Sequence, residues 1–540
     1  MKRVLPAALL AAALLAAATA ADGASDGARQ YVVLYEKGAS VADARAAIKD
    51  AGGKIIDENR AIGLATVRTD DGSFATDVAR SGAIEGAAAD MVIGRVPKTE
   101  RRKDDVERLE AARRAARKEG TAKHGGARGD QSATGDPLSP LQWDMQMIGA
   151  TPEGSYAREQ GKGVRVGIID TGVDGSHPDI APNFDRKLSR NFTTDRPEID
   201  GPCSDEPDNS CQDPADVDED GHGTHVAGTI ASPLNGQGIG GVAPRATIVN
   251  LRGGQDSGYF FIGPVVDALT YAGDHGIDVV NMSFYIDPWL YNCTANPADT
   301  PTQQLEQQMI IEATQRALDY ARQRGVTLIA AEGNGHTDLG KPVSDTTSPD
   351  YPLDTEHDRT IDNGTCFSMP TEANGVIGVT SVGPSKRKAY YSDYGLEQAD
   401  LSAPGGDFRD NYGTPDYANP TTNLILAPYP KAVAIANGDV DENGVPTSNF
   451  VVEDHGSYYQ YLQGTSMAAP HAVGVAALAI GQYGWRDSSG KTLTPAITEA
   501  VMRDGATDTA CPAQNPFVYP GLSPIYTATC EGTPDLNGFY

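Results

Sequence analysis

Asp170 opens the tripeptide Asp170-Thr171-Gly172 directly after the apolar run Val164-Arg-Val-Gly-Ile-Ile169, which delivers a carboxylate to the end of a strand. His222 begins His222-Gly-Thr-His-Val-Ala-Gly-Thr229, so its imidazole stands at the start of a predicted helix. Ser466 lies in Gly464-Thr-Ser-Met-Ala-Ala-Pro470, at another predicted helix start, among small residues that let a second chain approach. Each has an ordinary reading when taken singly: a turn aspartate, a structural histidine, an N-cap serine. His225, one turn beyond His222, reads as a packed core residue. Brought together, the three would make an activated nucleophile. A serine hydroxyl attacks at neutral pH only when an imidazole accepts its proton. A carboxylate behind the imidazole fixes its tautomer and stabilises the imidazolium. That chemistry is acyl transfer, and its oxyanion needs preorganised donors.

The strings DTGVDGSHPDI, DGHGTHVAGT and GTSMAAPHAVG follow one another in the order Asp, His, Ser. In content and order they resemble the three active-site signatures of the subtilisin-like serine proteases (subtilases, peptidase family S8). The resemblance covers about 136–540, and 30–98 more loosely resembles the family's inhibitory pro-domain. It implies Asp170, His222 and Ser466 as catalytic triad. It also implies Asn334, in Ala330-Ala-Glu-Gly-Asn334, as the side-chain oxyanion donor, with the backbone N–H of Ser466 as the second. Ser283, Phe284, Tyr285, Glu332 and Gly333 fall where relatives bind substrate. Two departures stand out there. Phe284-Tyr285-Ile286 replaces the usual glycines after Ser283, and Glu332 replaces a small residue at the pocket base, where it would favour basic side chains if it points inward. Asp179 and Asn235 fall at positions that resemble the family's structural calcium site, with Gln142 as a further oxygen donor. Asp216, Asp218 and Asp220 could hold another cation or be solvated.

Elements must carry these residues to one place. From about 136, strand patterns (164–169, 246–251, 277–282, 326–331, 376–382) alternate with helical ones (222–231, 264–274, 304–323, 464–483). That alternation predicts an α/β fold, a mostly parallel β-sheet flanked by helices, with functional residues at the carboxyl ends of strands. Residues 30–98 read as a small α+β unit: strands at 31–35, 54–57 and 65–68, helices at 41–51 and 73–81. The charged and then Gly-rich stretch 99–135 reads as an exposed linker that is easily cut. Stretches 340–370 and 407–455 read as surface loops absent from compact relatives. The division expected is a signal peptide over 1–20, a pro-region over 21–98, the linker over 99–135 and a catalytic domain over 136–540. The chain ends slightly before the terminal helical segment the resemblance implies.

Lys2 and Arg3, the apolar run that follows, and Ala18-Thr-Ala20 form a signal-peptide pattern, so export and cleavage after Ala20 are expected. No later run is apolar enough for a membrane anchor. The net charge of −29 argues against nucleic acid as a partner. Six cysteines in an exported chain suggest three disulfides. Several pairings are open, and sequence proximity favours Cys203–Cys211 and Cys511–Cys530, leaving Cys293–Cys366. The expectation is thus a secreted, monomeric endopeptidase. Its partners are protein or peptide substrates and its own pro-domain, which acts as inhibitor and folding aid. Two rivals remain: a non-catalytic binding protein on the same fold, and an aspartic protease using Asp170 and Asp256, each of which opens an Asp-(Thr/Ser)-Gly.

Overall fold

A computed structural model describes residues 29–89, 107 and 135–530, apart from 198, 206–208, 342, 353–354, 416, 418 and 487–490. The expected signal peptide, most of the linker and residues 531–540 lie outside the described residues.

Strands β1 (Arg29–Tyr35), β2 (Lys54–Asn59), β3 (Leu64–Thr69) and β4 (Ile84–Ala89) form an antiparallel sheet in the order β2-β3-β1-β4. Helices α1 (Val41–Asp50) and α2 (Phe74–Val78) accompany it. Side chains alternate across a strand, and β1 uses both faces. Val33 joins Ile48, Val67 and Phe74 in the unit's own core. Val32 and Leu34 face the other way, into the large domain. β4 escaped prediction because Ile84-Glu-Gly-Ala-Ala-Ala89 is poor in β-formers; pairing with β1 supplies what propensity does not.

The large domain is built on β5 (Arg165–Ile169), β6 (Arg190–Asn191), β7 (Thr247–Arg252), β8 (Val279–Met282), β9 (Thr327–Ala331), β10 (Val376–Val382) and β11 (Leu401–Pro404). They make one parallel sheet in the order β11-β10-β9-β8-β5-β7-β6. Its central strands β5, β8 and β9 are buried almost throughout, without alternation, because both faces are covered. Helices α3 (His222–Ala231) and α6 (Thr465–Tyr483) cover one face with Val226, Ile230, Ala468 and Val473 against Ile168 and Ile329. Helices α4 (Ile262–Asp274) and α5 (Pro301–Gln323) cover the other, with Val266 and Ile310 against Ile169 and Leu328. A further helix, α7 (Pro495–Gly505), packs on α6. Among the described residues, no helix is long and apolar enough to cross a membrane.

The stretches expected to be surface loops are structured. Within 407–462, β12 (Ile425–Tyr429), β13 (Val451–Asp454) and β14 (Ser457–Leu462) form an antiparallel sheet in the order β12-β14-β13. It buries Leu424, Leu426, Phe450, Tyr459 and Tyr461 together. Within 340–370, Val343–Asp345 pairs with Arg359–Ile361, and Cys366–Phe367 pairs with Asn292–Cys293. The three disulfides are Cys203–Cys211, Cys293–Cys366 and Cys511–Cys530.

Candidate active site

Asp170 follows β5 and is fully buried at the carboxyl end of the sheet. Its Oδ1 accepts the Thr171 N–H at 2.8 Å and lies 2.6 Å from His222 Nδ1. His222 is the first residue of α3, so the helix start carries the imidazole to the strand end. Two contacts make that docking possible. Gly223 lies so close to the preceding loop that a Cβ there would meet the Gly172 carbonyl oxygen at 2.0 Å. Asp218 then ties loop to helix: its carboxylate accepts Thr171 Oγ1–H (3.2 Å), Gly221 N–H (2.8 Å), Thr224 N–H (2.9 Å) and Thr224 Oγ1–H (2.5 Å). Asp218 is thus a structural tie between the loop and the helix start. Asp216 pairs with Arg186. His225 is fully buried, with Nε2 donating to carbonyls of Ile425 and Gln460. Burial drops its pKa to about 3, as befits a neutral core residue.

Ser466 is the second residue of α6 and is buried. Asn334 stands just beyond β9, where the amide oxygen accepts both Thr465 N–H (2.9 Å) and Thr465 Oγ1–H (3.0 Å). With its oxygen anchored, the amide presents Nδ2 to the site. Thr465 Oγ1 also accepts the Gly333 N–H at 3.0 Å. Sequence reasoning missed Thr465 as a support, although its place beside Ser466 was the available signal. Ser283 sits behind Ser466: Asn281 Nδ2 donates to Ser283 Oγ (2.8 Å), which donates to the Ser466 carbonyl (3.1 Å).

One carboxylate gathers these groups. Glu107 Oε1 accepts Ser466 Oγ–H at 2.5 Å and Asn334 Nδ2–H at 3.1 Å, while Oε2 lies 3.2 Å from His222 Nε2. Burial pulls the His222 pKa down, but Asp170 and Glu107 outweigh it and hold the value well above the ordinary imidazole range.

The residues expected to meet substrate are differently disposed. Phe284 stacks on Phe260 (centroids 4.2 Å apart, planes at 5°), and the Tyr285 hydroxyl donates to Asp350 Oδ2 at 2.7 Å. Both bulky side chains are thus held by neighbouring segments, Tyr285 by the 340–370 stretch. Glu332 is 1% exposed. It is seated against β10, where a Cβ on Gly378 would meet its Oε1 at 2.2 Å.

Asp179 and Asn235 do come together, but as a hydrogen-bonded pair. Asn235 Nδ2 donates to Asp179 Oδ1 (2.9 Å), and Asp179 Oδ2 accepts Tyr459 O–H (2.9 Å) and Ile239 N–H (3.0 Å). Gln142 is closed on Gly240, its Nε2 donating to the carbonyl (3.0 Å) and its Oε1 accepting the N–H (3.1 Å). Calcium needs about six to eight oxygens turned toward it. Here the oxygens face protein donors; nearby Asp136 Oδ2 is buried without a partner, one oxygen against such a shell. As arranged, these residues do not fit calcium. Asp195, Asp213 and Asp256 also cluster, but buried Arg252 bridges all three. Asp256 is therefore an ion-pair partner of Arg252 and not the counterpart of Asp170. The parallel α/β fold likewise excludes the all-β aspartic-protease reading.

Fold and site together define a parallel α/β protein in which Asp170, His222, Asn334 and Ser466 are gathered around one buried carboxylate. Residues 161–519 match the Subtilase family, Peptidase_S8, and the chain belongs to that family of serine peptidases. It is 29% identical over 371 residues to fervidolysin of Fervidobacterium pennivorans, covering 65% of this chain and 39% of fervidolysin. Identity with subtilisin DY of Bacillus licheniformis is 25% over 364 residues, covering 67% of this chain and 88% of that protein. The structure of the epidermin leader peptide processing serine protease from Staphylococcus aureus aligns with a TM-score of 0.57 at 21% identity. It covers 84% of this chain and 88% of that one, a likeness of fold.

Proposed function

We propose that the chain is a secreted, monomeric serine endopeptidase, made as a self-processing zymogen, that hydrolyses peptide bonds in proteins through an acyl-enzyme intermediate. The observation that carries this reading is the meeting of the Asp170–His222 pair, the Ser466 hydroxyl and the Asn334 amide on the two oxygens of one carboxylate. A substrate carbonyl in that place would receive Ser466 Oγ while His222 Nε2 takes the proton. Asp170 holds the imidazole by Nδ1 and stabilises its charge. Asn334 Nδ2 and the backbone N–H of Ser466 meet the oxyanion. His222 then protonates the leaving amine, and water releases the acyl group by the same steps in reverse. Ser283 and Gly333 stand on the substrate side in this reading, while Phe284 and Tyr285 are held back against Phe260 and Asp350. The buried Glu332 beside Gly378 acts from behind the pocket. Asp179 and Asn235 brace the loop at 235–239 through hydrogen bonds, and no step uses calcium.

Export is supported by the signal-peptide pattern at 1–20. Zymogen behaviour is supported by the packing of the 29–89 unit on α4 and α5, where Val32 and Leu34 share a core with Ile262 and Met309. Ser466→Ala tests the whole. In a host free of other proteases, mass spectrometry should find an exported chain retaining 30–98, while the wild-type chain loses it and cuts a peptide library. Full maturation of the Ser466→Ala chain would contradict self-processing. A mature wild-type chain that cuts no peptide would favour a binding role for the fold.

A further inference from the structure

Glu107 belongs to the stretch whose composition predicted a solvent-exposed linker, yet it is buried, at 6% exposure. A carboxylate goes into a protein interior only when its oxygens are met by donors. Here both are met, and the donors are those the proposed chemistry needs: the Ser466 hydroxyl, the Asn334 amide and the His222 imidazole. Two further contacts fix its approach. The Glu107 carbonyl accepts the Gln463 N–H at 3.3 Å. Gly464 lies against the side chain so closely that a Cβ there would meet Glu107 Oε1 at 2.9 Å and Cγ at 3.0 Å.

We propose that Glu107 is an internal inhibitor, a side-chain carboxylate held in the oxyanion site that keeps the precursor silent until Glu107 itself leaves the site. The inference rests on the serine-peptidase reading above and assigns its block to one residue. The chemistry follows from what a carboxylate is. It offers one oxygen to the oxyanion donor and the other to the imidazole, as the acid product of peptide hydrolysis would. It has no amine to expel, so Ser466 gains nothing by attacking it. Its charge acts a second way: His222 lies between Asp170 and Glu107, a pairing that favours imidazolium. An imidazolium cannot accept the serine proton. Occupancy and protonation therefore oppose catalysis together, and both end when Glu107 leaves.

The test is the rate at which a fluorophosphonate reagent labels Ser466 in the full chain. Intact and processed forms are separated by mass on a denaturing gel, so one lane reports both. The intact Glu107→Gln chain should label faster than the intact wild-type chain by about tenfold or more, the worth of a charge-assisted hydrogen bond. Glu107→Asp, one methylene shorter, should fall between them. Processed forms of all three should label alike, and their thermal midpoints as intact chains should agree, which a merely structural role would not give. Equal labelling of intact wild-type and Glu107→Gln chains, with processed chains labelling normally, overturns the role of Glu107 and leaves the peptidase reading standing. Processed chains that neither label nor cut peptide bring down the peptidase reading itself, and the inference with it.

Discussion

In the proposed chemistry, Thr465 touches no reacting atom but aims a residue that does. Its N–H and hydroxyl both bind the Asn334 amide oxygen, and the amide rotor is thereby locked with Nδ2 toward Ser466. Removing the Asn334 amide should cost about 10²–10³ in kcat. Thr465→Val keeps the shape and loses one of the two anchors. The expected result is a fall in kcat of about tenfold with KM unchanged, because the lost interaction acts only on the developing oxyanion. Steady-state kinetics on a peptide ester decides it, and a rise in KM at constant kcat would assign Thr465 to substrate binding instead. His222 and His225, three residues apart, make the same point about environment. Carboxylates hold one imidazole well above its ordinary pKa, and burial against carbonyls drops the other to about 3.

At the scale of elements, the site depends on how closely α3 docks on the end of β5. Gly223 touches the loop at Gly172 and Asp170, leaving no space for a methyl group. Gly223→Ala would push the helix start, and His222 with it, away from Asp170. Overpacking of this kind costs about 1–3 kcal/mol. Denaturant unfolding should show that loss, while kcat falls much further than the stability change implies, since the Asp170–His222 bond lies directly in the displaced contact. An unchanged kcat would mean that the helix start can shift without cost to the site. The sheet of β12, β14 and β13 supports the same helix from the other side: His225 donates to Ile425 on β12 and to Gln460 on β14.

At the scale of the molecule, the contact between the 29–89 unit and the large domain carries its own titratable pair. Asn59 Nδ2 donates to Asp267 Oδ1 (2.7 Å) and Thr270 Oγ1 (2.8 Å), and Arg316 reaches the Tyr35 carbonyl (2.8 Å) and Glu85. Burial, then the neighbouring Asp57 carboxylate, push Asp267 up to about 7 against the opposing Asn59 bond. In a separated domain Asp267 would return toward the ordinary value of about 3.9. Docking then takes up a proton. The contact is fully stable below about pH 4, weakens as pH rises toward 7, and levels off above, by up to about tenfold per unit. Once the linker is cut, the pro-region should stay with the large domain in gel filtration at pH 5 and separate at pH 8. Asp267→Asn should flatten that dependence; an identical pH profile in the variant would place the titration elsewhere.

The amino-acid sequence determined the order and types of the three signature residues, most elements of the parallel sheet, and the helix starts that carry His222 and Ser466. All of these are written within short windows, where apolar runs, small residues and turn formers act on their neighbours. The tertiary structure decided what lies far apart in the chain. Glu107 meets Ser466 across 359 positions, and Tyr459 meets Asp179 across 280. Neither contact has a local signature. A charged stretch looks solvated until a site full of donors takes one carboxylate out of it, and an aspartate looks like a cation ligand until a distant tyrosine supplies the proton its oxygen needs. Packing of β12 on β14 likewise turned an expected loop into a sheet, because strands gain their stability from partners that composition does not name.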